Sequence, residues 1–192
     1  MINYDKRSIL NNVYDYDKKI ARYIEKLKEI NTKNSLKIID YFESYLKNHN
    51  FSIATQVKWL GRTVQLCEWF KKDFDKCKKE DIEKIVEEKI NKNNNISSDS
   101  KKMSKLALKK FWRYLKKCDD DTYPPEVNWI RTPRNDGRRH INPEDLITDE
   151  DIEKMLKLTD NTRDKAFIIT LAESGCRVGE ILTLLVKSLI FD

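Results

Sequence analysis

Apolar positions recur in steps of three and four along most of the chain, the spacing that lines one face of an α-helix. The pattern predicts helices over 17–30 (Ile20, Tyr23, Ile24, Leu27) and from 34 to near the N-H-N at 48–50 (Leu36, Ile39, Tyr41, Phe42, Tyr45, Leu46), as two rods or one bent one. Ser52 is a good N-cap for a helix reaching about Lys72, whose inward stripe is Ile53, Val57, Leu60, Val64, Cys67 and Phe70. A further helix covers 79–91, with Ile82, Ile85, Val86 and Ile90 inward. The turn-rich 93–99 then offers Ser98 or Asp99 as cap for a helix over 100–117, with Met103, Ala107, Phe111, Tyr114, Leu115 and Cys118 on its core side. Helical period all but vanishes from Asp119 to Pro143, where prolines and aspartates gather. Thr148 caps the next helix, T-D-E-D-I-E-K-M-L, and Ala166, Phe167, Ile168, Ile169 and Leu171 read as a buried helix closed by Gly175. Met1 to Asn12 reads as a loose end, and Leu189 to Asp192 as a strand.

Composition agrees with a mainly α class: 36% of the 192 residues are charged, with four glycines and four prolines. No apolar run approaches the roughly 20 residues that cross a bilayer, and the Met1 end is polar, so no span or signal peptide is expected and the expected location is cytoplasmic. Cys67, Cys77, Cys118 and Cys176 form no C-x-x-C pair and only His49 and His140 could join them, so neither metal nor cofactor is expected, and the thiols read as reduced. Charge is unevenly placed. Residues 1–140 hold 32 Lys+Arg against 21 Asp+Glu, whereas 141–192 hold 6 against 11. That imbalance points the first part toward a polyanion, most simply nucleic acid.

Two helical faces could carry such a partner. On the helix after Ser52, Thr55, Lys58, Arg62 and Gln65 fall away from the apolar stripe and present donors suited to phosphates or base edges. On the helix over 100–117, Lys101, Lys105, Lys109, Arg113 and Lys116 recur every three or four residues as a cationic ridge with no acid on it. A solvated lysine face is the simpler reading of the ridge. The third candidate is Arg177, placed in the first turn of the helix restarting after Gly175, where free N–H groups already favour an anion. Glu180 three residues on can hold its guanidinium, and Gly179 leaves room for a backbone or substrate to approach. An ordinary surface ion pair is the alternative there.

The string Ser174 to Leu184, S-G-C-R-V-G-E-I-L-T-L, resembles the T-G-x-R-x-x-E-l-x-x-L box of the tyrosine recombinases, the phage-integrase and Xer-like family. Ser174 stands in place of Thr, and the continuation L-L-V-K-S-L-I lacks the usual Trp and Asp. Upstream, Tyr45, Leu46, Ser52 and Thr55, W-F at 69–70, E-D-I-E at 80–83 and F-W-R-Y-L at 111–115 are similar in order to that family's core-binding domain. The Thr148 helix likewise resembles the opening of its catalytic domain.

The resemblance implies a SAM-like helical core-binding domain over 1–120, a basic linker over 121–143 and the helical start of a truncated catalytic domain over 144–192. Arg177 would be the first of the catalytic arginine pair with Glu180 beside it, and Arg131, Arg134, Arg138 and Arg139 would contact phosphates along the linker. Double-stranded DNA and other recombinase protomers are the implied partners, in site-specific DNA recombination or integration. In the family the lysine hairpin, the H-x-x-R box and the nucleophilic tyrosine all follow the arginine box, and all eight tyrosines here precede Pro124. This chain alone is therefore expected to bind DNA without cutting it. A stand-alone DNA-binding regulator, or a helical module meeting an acidic protein, are the alternatives.

Overall fold

A computed structural model describes residues 13–30, 32–132 and 142–185, and among them there are helices, turns and no strand, as a mainly α class requires. Two compact units emerge, Tyr16–Arg134 and Met1–Asp15 with Asn135–Asp192.

The larger unit is a helical bundle. Helix α1 (Tyr16–Ile30) and helix α2 (Lys33–Asp40) are separate rods, because Thr32 caps α2: its hydroxyl accepts from the Ser35 N–H at 3.2 Å. Helix α2 runs on without interruption into a wider π turn, Tyr41–Leu46, that buries Tyr41, Phe42 and Leu46. Helix α3 (Ile53–Trp69) starts at Ser52 as expected, with the Thr55 N–H donating to the Ser52 hydroxyl at 3.3 Å. Helix α4 (Lys79–Ile85) likewise ends in a π turn, Val86–Asn91. Helix α5 (Ser98–Leu115) is capped by Ser97 and not by Ser98 or Asp99, since the Ser97 hydroxyl is the one that reaches the Ser100 N–H, at 3.2 Å.

Burial follows the predicted stripes with additions. Leu60, Val64, Cys67, Ile82, Val86, Ile90, Ala107 and Phe111 are buried as the spacing demands, whereas Val57 is half-exposed and Trp59, Thr63, Leu66, Leu108 and Trp112 join the core. Its centre is aromatic. Phe74, on a single 3-10 turn, lies 5.1 Å from the Phe111 ring and 5.4 Å from Trp112, both edge-on. Buried Asn34 fixes that turn with both ends of its amide: its Nδ2 donates to the Lys72 carbonyl at 2.9 Å and its Oδ1 accepts from the Phe74 N–H at 2.8 Å.

The stretch read as linker from 121 needs correction in its first part. Pro125 opens a one-turn helix, α6 (Pro125–Asn128), and Val127 and Ile130 are buried in the core of the bundle. Two apolar residues three apart are too short a run for periodicity to register. Arg134, Arg138, Arg139 and His140 lie outside the described residues, as do the loose end at 1–12 and the strand expected at 189–192.

In the smaller unit, helix α7 (Asp149–Leu158) is capped by Thr148, whose hydroxyl accepts from the Asp151 N–H at 3.3 Å. Helix α8 (Thr162–Ser174) closes on Gly175 at φ +60°, the left-handed position glycine takes at little cost. The five-residue α9 (Val178–Leu182) follows. The expectation that Ala166 to Leu171 form a buried helix is half right: the helix is there, yet no residue of α7, α8 or α9 is buried.

Cys67 and Cys77 are buried in the bundle, and burial pushes both thiols up to about 11. Because Cys176 is exposed, iodoacetamide on the native protein is expected to alkylate Cys176 first and to reach Cys67 and Cys77 only after unfolding. Peptide mapping after a timed quench checks the order, and early labelling of Cys67 would contradict this packing.

Candidate nucleic-acid interface

The two faces singled out in the sequence differ in what surrounds their charges. The ridge on α5 is largely engaged inside the bundle. Lys101 donates to the Asn91 carbonyl at 2.6 Å. Lys109 donates to the Ile130 carbonyl at 3.2 Å and sits 4.1 Å from the centre of the Tyr123 ring. Arg113, whose side chain is only 12% exposed, donates to the Asp120 carbonyl, pairs with the Asp120 carboxylate at 3.1 Å and donates to the Tyr45 hydroxyl at 3.1 Å. Lys116 pairs with Glu126 at 3.0 Å. The acids that the ridge itself lacks thus come from the segment after α5, and Lys109, Arg113 and Lys116 clip residues 119–130 to the helix. Of the five ridge residues, only Lys105 has no hydrogen bond or ion pair among the described residues.

This arrangement assigns Arg113 a structural role. Arg113→Ala is expected to destabilise the bundle by about 1–3 kcal/mol, because the Tyr45 hydroxyl and Asp120 lose a half-buried charged partner. Lys105→Ala is expected to stay within about 0.5 kcal/mol, as surface changes do. Thermal melts of the two variants side by side check this, and equal melting temperatures would contradict it.

The face on α3 is the open one. Arg62 spans to α5 and donates to two hydroxyls, Ser104 and Ser100, each at 3.4 Å. Lys58 lies 5.5 Å from the Trp59 ring centre, and Lys110 of α5 covers the same ring at 4.4 Å. Among the described residues no carboxylate lies within ion-pair distance of Lys58, Arg62 or Lys110. Burial, followed by the like charges of Arg113 and Lys58, pulls the Lys110 pKa below the ordinary lysine value. Lys58 and Lys110 therefore repel each other beside the Trp59 indole, where an anion would relieve them, and Arg62 lies one turn along α3 from Lys58. Lys58, Arg62 and Gln65 also line an open groove shared with Lys19 and Tyr23 of α1. Thr55 stands apart from it, its hydroxyl 2.9 Å from that of Ser52 at the helix start. Lys110 was not among the residues singled out. Its position one residue beyond Lys109 placed it off the ridge, and only the packing of α5 on Trp59 brings it beside Lys58.

The Arg177 position is simpler than expected. Arg177 is the N-cap of α9, not in its first turn, and its side chain is 89% exposed. Glu180 does hold it: the Arg177 N–H donates to one Glu180 oxygen at 2.8 Å and the guanidinium to the other at 3.3 Å. Helix α9 is too short to add much dipole. The room beside Gly179 is taken, because the Tyr14 hydroxyl packs against that glycine. Among the described residues, no cation other than Arg177 pairs with Glu180. The described residues contain no cluster of side chains suited to a metal ion and no helix long and apolar enough to cross a membrane. No family model, curated protein or solved structure matches the chain.

Proposed function

We propose that this chain binds duplex DNA through the α3–α5 face, as the helical DNA-binding part of a tyrosine recombinase acting in site-specific recombination in the cytoplasm. The observation that carries the reading is Lys58, Arg62 and Lys110 on two packed helices of the basic unit, with no carboxylate in ion-pair distance among the described residues. Such a group gains by releasing counterions from several phosphates, and Gln65 and Lys19 extend it along the groove. The recombinase assignment draws its support from the arginine-box string, within which Glu180 holds Arg177.

Among the described residues Glu180 pairs with Arg177 alone, and one guanidinium supplies too little positive charge to stabilise a pentacoordinate phosphate, so the proposed activity is binding without strand cleavage. That same feature favours the second reading, a DNA-binding regulator with no chemistry of its own. Mobility-shift titration against a generic duplex at several salt concentrations tests the binding: the complex should weaken steeply as salt rises, and an absent or salt-indifferent complex would contradict it. A nicked suicide duplex tests the absence of cleavage that both readings expect. A covalent protein–DNA adduct on it would overturn the expectation of no cleavage.

A further inference from the structure

Helices α7 and α8 pack as a hairpin that buries none of its own residues. Of the nine large apolar side chains that the described residues leave exposed, eight lie between Leu146 and Leu184. They are not scattered. Ile147, Ile152 and Met155 face Ile168, Leu171 and Ala172 across an open groove of about 380 Å³. A neighbouring hollow shares Ile152 and Ala172 and is rimmed by Asp149, Glu153 and Glu173. Over the whole of 142–185 there are ten acids to five bases, and although Lys157 pairs with Glu153, Asp149 and Glu173 leave an anionic rim beside the apolar floor.

That charge selects the occupant. A second copy would bring one acidic rim against another, and juxtaposed like charges oppose association. An anionic lipid surface meets the same repulsion. A helix with an apolar stripe and lysines or arginines on its flanks satisfies both floor and rim, and helix-in-groove docking is a recurrent mode of recognition. At 1.5 Å per residue the ten residues of α7 and thirteen of α8 offer roughly 15–20 Å of groove, about three to four turns of an occupant. We infer that the α7–α8 groove is a docking site for a basic amphipathic helix of a partner protein. The inference uses no residue of the α3–α5 face, so either can fail without the other.

The test uses the full chain and three synthetic 18-residue peptides in fluorescence anisotropy. The first has a leucine stripe with lysine and arginine flanks, the second the same stripe with glutamate flanks, and the third the composition of the first scrambled to destroy the stripe. The first should bind at least tenfold more tightly than the other two and lose affinity with salt. Glu173→Lys should shift the preference toward the glutamate-flanked peptide, and Glu173 is exposed and makes no ion pair among the described residues, so the fold is spared. Met155→Asp should abolish binding. Equal binding of all three peptides, or of none, overturns the inference. So does a dimer in sedimentation that Met155→Asp disperses, since a second copy would then fill the groove.

Discussion

Replacing Phe74 by alanine is expected to destabilise the helical bundle by about 3–5 kcal/mol, the range for removing a large aromatic from a closed core. Phe74 is fully buried and its ring meets Phe70 at 5.6 Å as well as Phe111 and Trp112. The turn that carries it is held by Asn34, so the backbone has little freedom to collapse into the space left behind. All four tryptophans lie within Tyr16–Arg134, so urea unfolding followed by indole fluorescence reports on this unit alone. Leu158→Ala, at a side chain exposed in the smaller unit, should leave that transition where it was. A loss below about 1 kcal/mol for Phe74→Ala would mean that the aromatic centre is not closed.

The second large effect concerns binding. Simultaneous Lys58→Ala, Arg62→Ala and Lys110→Ala substitutions should lower affinity for duplex DNA by about 100-fold near physiological salt and make the log–log salt slope shallower by about 2–3, the loss of three phosphate contacts. The fold should survive, because none of the three makes an ion pair among the described residues and Arg62 gives up only two long hydrogen bonds to hydroxyls. Removing Lys109, Arg113 and Lys116 together should behave in the opposite way. That set clips residues 119–130 to α5, so it should lower the melting temperature more than it lowers the affinity of the folded protein. Measuring both properties on both triples distinguishes a binding face from a structural seam, and a reversal of the pattern would exchange their roles.

The helices were legible in the sequence because each is long enough for the three-four spacing to repeat, and because Ser52, Thr148 and Gly175 mark ends by local chemistry alone. Phe74 and Val127 were not. Each sits on a single turn, where no period can build up; Phe74 is buried against Phe111 and Trp112, more than thirty positions away, and the turn of Val127 packs on α4 and α5, contacts that spacing does not encode. The candidate site divides in the same manner. Lys58, Arg62 and Gln65 share a face by helical geometry and were found that way, whereas Lys110 joins them through the packing of α5 on Trp59. On the α5 ridge the converse holds. Periodicity shows which cations share a side of a rod, but Asp120, Tyr123 and Glu126, which occupy them, arrive from a later segment with no period of its own.

The proposed docking surface for duplex DNA is the α3–α5 face. Amide chemical-shift mapping of the labelled full chain during titration with a 20-base-pair duplex tests it most directly. Shifts should gather around Lys58, Arg62, Gln65 and Lys110 and fade as salt is added. Shifts confined to residues 116–130 or to the smaller unit, with α3 unmoved, would contradict it.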